Sequence, residues 1–305
     1  MKRDVHVVVV NYHSVDLLEG CLRSLLEQPV TTVTIYDNAS GAAEVDAVRT
    51  LAGLDGRITL YEGGENVGFG AGVNRATEFA SASASASATG RDVLWVLNPD
   101  TVVRPRAVER LLMALEEGEA DIVSPLIVTG STDRVWFAGG RIDYRHGVTW
   151  HWDAEVGGSD GMIPTGFVSG AAPMMLLSTW RRLGGFRQDF FLYWEDADFC
   201  SRALDAGLRL AVVPGAMVWH AQGGSSDEAA GNSLAYYYYG QRNRVVFCRR
   251  GTTVPGLLLG RGLRETTRLL VKPLLHEEVG RLSKARASLR GLVAGVRGEV
   301  GRGPY

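Results

Sequence analysis

The sequence predicts an α/β protein: a mixed, mostly parallel sheet flanked by helices, with further helices at the C-terminus. Short β-branched runs alternate with segments of helical apolar spacing from residue 4 to residue 124. Polar clusters follow the predicted strands, at Tyr12, Asp37-Asn38, Asn98-Pro99-Asp100 and Glu195-Asp196. The chain has 305 residues, 46% hydrophobic and 22% charged, enough for one large α/β core.

Residues 4–10 read as a buried strand, β-branched and nearly continuous, and 11–16 as a polar turn. Leu17, Leu18, Cys21, Leu22, Leu25 and Leu26 then recur at helical spacing. Residues 33–36 form a second strand, 43–51 a helix and 58–61 a third strand. Alternation of this kind predicts a parallel sheet with helices on both faces. The glycine-rich turn 66–74 enters a helix to about residue 80, and the Ser/Ala tract 81–88 reads as a loop or a frayed helix end. Residues 93–97 make a fourth strand, 105–117 a helix, and 122–124 rejoin the sheet. The Gly-, Trp- and Asp-rich stretch 130–165 suggests hairpins or a long loop. Strands are expected at 169–177 and 209–213, with a helix after Glu195-Asp196 between them. A polar loop at 223–231, a helix at 236–247 and basic helices from about 256 complete the chain.

Three cysteines, Cys21, Cys200 and Cys248, are odd in number and form no CxxC pair, which argues against a disulfide framework or a zinc site. The longest N-terminal apolar run is four residues, too short for a signal peptide, and no run approaches the ~20 residues of a membrane span. A reducing, cytoplasmic location is expected. Net charge is −2 but uneven: residues 249–305 carry twelve Lys/Arg against four acids, so the tail is +8 and the body −10. Domain organisation is read as 1–248 for the α/β domain and 249–305 for a basic amphipathic helical extension.

In an open parallel sheet, ligands bind at the strand C-termini. Carboxylates converging there can hold a divalent cation, orient a nucleobase and take a proton. Any one of them alone could equally be a helix cap or turn former. The order of motifs narrows the choice. Asn11-Tyr12, Asp37-Asn38-Ala39-Ser40, Asn66-Val67-Gly68-Phe69-Gly70, Leu97-Asn98-Pro99-Asp100-Thr101, Gly184-Gly185-Phe186 and Trp194-Glu195-Asp196-Ala197-Asp198 follow one another. This series resembles family 2 GT-A glycosyltransferases, and within them the bacterial rhamnosyltransferase branch, where a Tyr-rich Arg-Asn element is similar to residues 236–243. The resemblance covers residues 5 to about 247.

The resemblance implies a Rossmann-like GT-A fold and a role for each matched position. Asp37 would accept a hydrogen bond from the imide of uracil or thymine, and Tyr12 would pack on that base, unless it only fills the first turn. Asn66, Gly68 and Asn74 would approach the nucleotide-sugar, although tight helix–sheet packing explains the glycines equally well. Asn98 and Asp100 stand where the family carries its Asp-x-Asp metal motif. Asp100 would ligate Mg²⁺ or Mn²⁺, with His220 as a second ligand or simply a structural histidine. Asn98 replaces the first Asp, so one anionic ligand is missing. Asp196 is implied as general base, and Glu195 would hold the acceptor or the helix start. Arg242 would reach the diphosphate or merely pack its helix. Asp198 and Arg202, i,i+4, read as a surface pair.

The implied reaction is inverting transfer of a sugar, L-rhamnose from dTDP-L-rhamnose, to a hydroxyl of a lipid-linked saccharide or other acceptor, including a secondary-metabolite aglycone. The basic tail suits peripheral contact with the inner face of the cell membrane, against the plainer reading that its helices pack on the domain. Nucleic acid is not expected as a partner, because the body is acidic and no binding motif is present. Two rivals were weighed. A nucleotidyltransferase would need a basic, glycine-rich phosphate loop, and residues 11–16 contain neither Gly nor Lys. A nucleotide-sugar-binding scaffold without catalysis is given room by Asn98 and opposed by Asp100 and Asp196.

Overall fold

A computed structural model describes residues 3–84, 91–152, 161–221, 231–249 and 255–305. Residues 85–88 of the Ser/Ala tract and 223–230 of the expected polar loop lie outside the described residues. The chain opens β1(Val5–Asn11), α1(Val15–Leu26), β2(Thr32–Asp37), α2(Ala42–Ala52), β3(Ile58–Glu62), α3(Phe69–Ala84) and β4(Val93–Leu97). All seven residues of β1 are buried, as expected of a strand covered on both faces. On α1, Leu18, Cys21, Leu22 and Leu25 are buried, which is the predicted stripe. Strands β4, β1, β2 and β3 lie side by side and parallel. Register sets Asn11 beside Asp37 and Asp37 beside Glu62, so the strands end level and their polar residues share one edge.

The second half follows as β5(Thr101–Val103), α4(Ala107–Glu117), β6(Ile122–Thr129), β7(Arg134–Phe137), β8(Gly140–Asp143), β9(Val148–His151), β10(Ile163–Thr165), β11(Met174–Leu176), α5(Leu177–Leu183), α6(Glu195–Asp205) and β12(Leu210–His220). The sheet runs β10-β12-β6-β11-β4-β1-β2-β3 among the described residues, with β5 and β7 paired at its side. Strand β11 is antiparallel to both neighbours, which makes the sheet mixed. The expected strand at 169–177 shrinks to three residues, Met174–Leu176, although the carbonyls of Pro173 and Ala171 still accept the N–H groups of Val96 in β4 and Asn98 just after it. Strand β12 is longer than expected. A register irregularity between Val213 and Met217 lets it continue and pair antiparallel with β5, His220 opposite Thr101. Strands β8 and β9 form a separate hairpin, as the 130–165 composition suggested.

Helices α7(Leu234–Cys248), α8(Pro255–Leu258), α9(Gly260–His276) and α10(Arg281–Arg297) close the fold. Helix α7 is buried almost all round and is therefore a core helix. Helix α10 turns its small residues Ala287, Ser288, Gly291, Ala294 and Gly295 inward. A Cβ on Gly291 would stand 2.2 Å from the Tyr238 carbonyl oxygen, and one on Gly295 2.7 Å from that of Arg242. These glycines let the two helix backbones touch. Helix α10, and to a smaller extent α9, are thus packed against α7. Glu277, between α9 and α10, is 3% exposed and bonds Lys284 Nζ at 2.5 Å, Tyr237 Oη at 2.7 Å and Asn232 Nδ2 at 3.0 Å. No helix among the described residues is long and apolar enough to cross a membrane.

Candidate active site

At the ends of β1 and β2, Asp37 is wholly buried. Its Oδ1 accepts the Ser40 N–H at 2.9 Å, and its Oδ2 accepts Asn11 Nδ2 and Ser40 Oγ, each at 2.8 Å. The carboxylate is fixed in orientation, and its free lone-pair capacity is small. Asn11 Oδ1 is buried with no partner of its own. Tyr12 is 40% exposed and meets the His13 ring edge-on at a centroid distance of 4.5 Å. Asn66 Oδ1 accepts Asn38 Nδ2 at 3.0 Å and the Gly68 N–H at 2.9 Å. Asn66 therefore shapes its own turn.

The glycines of this turn serve packing. Gly68 has φ +86°, and a Cβ there would fall 2.2 Å from the Phe191 carbonyl oxygen; on Gly72 it would meet Val10 at 3.0 Å. Asn74 also differs from its expected role. Its amide exchanges two hydrogen bonds with the Phe186 backbone, at 2.8 and 2.9 Å, and it is buried. It ties α3 to the Gly184-Gly185-Phe186 turn rather than facing a nucleotide-sugar.

The pairing of β12 with β5 delivers His220 to the turn after β4. His220 Nε2 lies 3.1 Å from Asp100 Oδ1 and 3.5 Å from Asn98 Nδ2. Asn98 Oδ1 and His220 Nδ1 are buried without hydrogen-bond partners. Two cis ligands of an octahedral Mg²⁺, each at about 2.1 Å, stand roughly 3 Å apart, so the Asp100–His220 separation suits a shared cation. The orphaned Asn98 oxygen is a further hard donor at the same spot. Asp100, His220 and Asn98 fit a divalent cation on these grounds, with one carboxylate where a full Asp-x-Asp motif has two.

Asp196 and Glu195 begin α6 behind an unusual loop. Phe191, Tyr193 and Trp194 all have positive φ, 67°, 67° and 75°. Non-glycine residues in this region cost of order 1–3 kcal/mol each and persist only when their surroundings hold them. Asn243 does much of that holding. It is fully buried, and its Nδ2 donates to the carbonyls of Phe190, Leu192 and Tyr193 at 2.8–2.9 Å. Arg242 belongs to the same clamp. Its guanidinium bonds the Phe190 carbonyl at 2.8 Å, the Gly301 carbonyl at 2.6 Å and Asn243 Oδ1 at 2.8 Å, and it is 1% exposed. These partners replace the diphosphate expected for it. Asp198 corrects the sequence reading too. It is buried, and its salt bridge with Arg202 at 2.7 Å lies inside the fold, where Arg202 also bonds the Gly185 carbonyl.

Asp196 is half-buried, with Oδ2 on the Gly170 N–H at 3.0 Å and Oδ1 on the Ala197 N–H at 2.7 Å. Burial raises its pKa, partly countered by those two N–H groups and by nearby His151. Burial, and then the charge of Asp196, push Glu195 up to about 8. Both effects favour the protonated form of Glu195, whose Oε2 is buried without a partner. One short segment joins Asp196 to the Asp100–His220 pair: Gly170 donates to Asp196, while the next carbonyl, of Ala171, accepts the Asn98 N–H at 2.9 Å. The base candidate and the cation candidate therefore share one sheet edge. Sequence reading missed Asn243 and Gly170. Asn243 had a signal, standing beside Arg242 in the Arg-Asn element; Gly170 had none.

Comparison with known proteins bears on this arrangement. Residues 6–203 match the family described as Glycosyl transferase family 2. The chain is 26% identical over 253 residues to N-acetylglucosaminyl-diphospho-decaprenol L-rhamnosyltransferase of Mycobacterium tuberculosis (strain CDC 1551 / Oshkosh), covering 76% of this chain and 80% of that protein. Among solved structures, GalNAc-T7 with UDP, GalNAc and Mn²⁺ aligns with a TM-score of 0.61 at 12% identity, over 97% of this chain and 56% of that one. The mannosyltransferase PcManGT from Pyrobaculum calidifontis, in complex with GDP-Man and Mn²⁺, aligns at 0.57 and 18% identity, over 97% of this chain and 76% of that one. At such identities the likeness is one of fold, the GT-A glycosyltransferase fold.

Proposed function

The chain belongs to glycosyl transferase family 2, and from that premise we propose that it moves L-rhamnose from dTDP-L-rhamnose to a hydroxyl of a lipid-linked saccharide, with inversion. The observation that carries the reading is the convergence of Asp196 with Asp100 and His220 across residues 170–171. Asp37 and Tyr12 receive the base of the nucleotide. The acceptor oxygen attacks the anomeric carbon, the bond from that carbon to the diphosphate breaks, and the acceptor proton passes to the Asp196 carboxylate. Asp100, His220 and Asn98 would hold Mg²⁺ or Mn²⁺, which would supply charge stabilisation to a departing diphosphate. The mycobacterial relative, by its name, transfers L-rhamnose to a decaprenyl-diphosphate-linked sugar, which supports both the donor and the acceptor class.

The test is a binding and turnover screen with UDP-, GDP- and dTDP-sugars in the presence of Mg²⁺ or Mn²⁺. Wild type is expected to bind and slowly hydrolyse dTDP-L-rhamnose. Asp100→Ala is expected to lose at least tenfold in metal-dependent affinity, as removal of the one carboxylate ligand implies. Absence of binding to every nucleotide-sugar with either metal would sink the reading.

A lipid-linked acceptor calls for a membrane-facing surface, and the α9–α10 corner supports one. Leu275, Val279 and Leu282 are 68%, 60% and 67% exposed. Helix α10 carries five Lys/Arg and no acid, and all but the buried Lys284 are exposed. Exposed aliphatics flanked by arginines suit an anionic bilayer. The protein is expected to sediment with phosphatidylglycerol vesicles, less so at high salt, and to lose this in Leu275→Gln/Leu282→Gln. Equal sedimentation with neutral vesicles, or none with either kind, would remove this part of the proposal.

A further inference from the structure

The wall between the two ends of the site is aromatic. Trp136 lies on β7 and His151 closes β9. The Trp136 indole meets the His220 ring at a centroid distance of 4.9 Å and the His151 ring, edge-on, at 5.8 Å. His151 packs edge-on to Phe137 at 5.1 Å and nearly parallel to Phe167 at 6.0 Å. Burial lowers its pKa, against the raising influence of the Asp196 charge. Phe137 and Phe167 are buried, whereas Trp136 is only partly buried and His151 is open to solvent. The wall thus starts at His220 of the Asp100–His220 pair and continues through Trp136 to His151, which lies within electrostatic reach of Asp196.

Displacement with inversion needs the leaving oxygen, the anomeric carbon and the incoming oxygen in line. A diphosphate held near Asp100 and His220 and a base at Asp196 therefore set the transferred ring along Trp136. A pyranose presents C–H bonds on its faces. Such a face packs well on an indole, removing apolar surface from water and setting C–H groups against the negative π face. A 6-deoxy sugar, with a methyl in place of a hydroxymethyl group, has more apolar surface to offer.

We propose that Trp136 is the platform on which the transferred sugar of the donor stacks, with His151 bracing the indole toward Asp196. The proposal rests on the nucleotide-sugar reading given above. It makes Trp136 a positioning residue whose contribution appears only when a sugar is attached to the nucleotide.

The experiment compares wild type, Trp136→Leu and Trp136→Phe by calorimetry with Mn²⁺. The ligand pairs are dTDP against dTDP-L-rhamnose and UDP against UDP-GlcNAc. In the pair that wild type binds, the sugar-bearing ligand is expected to be the tighter. Trp136→Leu is expected to weaken that ligand roughly 10- to 100-fold and leave the free diphosphate within about twofold. Trp136→Phe, which keeps a ring, is expected to recover part of the loss. Equal weakening of both ligands would mean that Trp136 only supports His220, and would overturn the proposal. So would an unchanged preference in Trp136→Leu, or a wild type that gains nothing from the sugar. A wild type that binds neither pair defeats the nucleotide-sugar reading itself, which is a different result.

Discussion

Asp196→Asn is expected to lower kcat for sugar transfer roughly 10²–10⁴-fold while donor binding stays near wild type. The amide keeps the size of the carboxylate and cannot take the acceptor proton. It also cannot accept from both the Gly170 and Ala197 N–H groups, so a stability loss of about 1–3 kcal/mol accompanies the change. Melting curves and donor titrations separate that loss from the chemical one. Burial raises the Asp196 pKa, and the base must be ionised to work. Activity is therefore expected to fall with decreasing pH at a higher pH than an ordinary aspartate would set. Glu195→Gln is the contrasting variant. Burial and the charge of Asp196 push the Glu195 pKa up and favour its neutral form, so glutamine should preserve most of kcat. If Glu195→Gln were the dead variant and Asp196→Asn the active one, the base assignment would pass to the wrong neighbour and fall.

Glu277→Gln is expected to destabilise the fold by about 3–5 kcal/mol, because it leaves the buried Lys284 ammonium without its counter-charge. The loss should show first as release of α9 and α10 from α7, visible as raised hydrogen exchange in 277–297. The same network predicts an acid limit. Burial pushes the Glu277 carboxyl up, but hydrogen bonds from Lys284, Tyr237 and Asn232 overcome this and hold it at about 2. A carboxyl lowered from 4.5 to about 2 stabilises the fold by about 3 kcal/mol above pH 4.5, and this is lost as pH falls from 4.5 toward 2. Chemical denaturation at pH 7, 4 and 3 measures it. A Glu277→Gln variant with unchanged stability at pH 7 and the same acid profile as wild type would refute the account.

Much of this protein was legible before its structure. The buried run of β1, the helical spacing of Leu18, Cys21, Leu22 and Leu25, and the polar residues at the ends of β1, β2 and β4 are local patterns. They follow from the two-residue period of strands and the 3.6-residue period of helices. Glycines were harder to read. Gly68 sits in a motif that a phosphate-binding loop could also produce, and only the nearness of the Phe191 carbonyl shows what it makes room for. For Asn74 and Arg242 the family resemblance implies contact with the ligand, with packing as the alternative. In the fold both are buried and bonded to backbone carbonyls, since a packed interior must satisfy its own polar groups first.

By itself the sequence determined the α/β alternation and the identity of the polar residues at the strand ends. Each is a property of neighbours in the chain, so local periodicity is enough to specify it. The tertiary structure alone decided that His220 lies on Asp100, that Asn243 holds the loop before Asp196, and that Trp136 and His151 line the space between. Those juxtapositions depend on which strand pairs with which, and in what register. A strand carries the same side-chain alternation whichever partner it finds, so its pattern cannot name that partner.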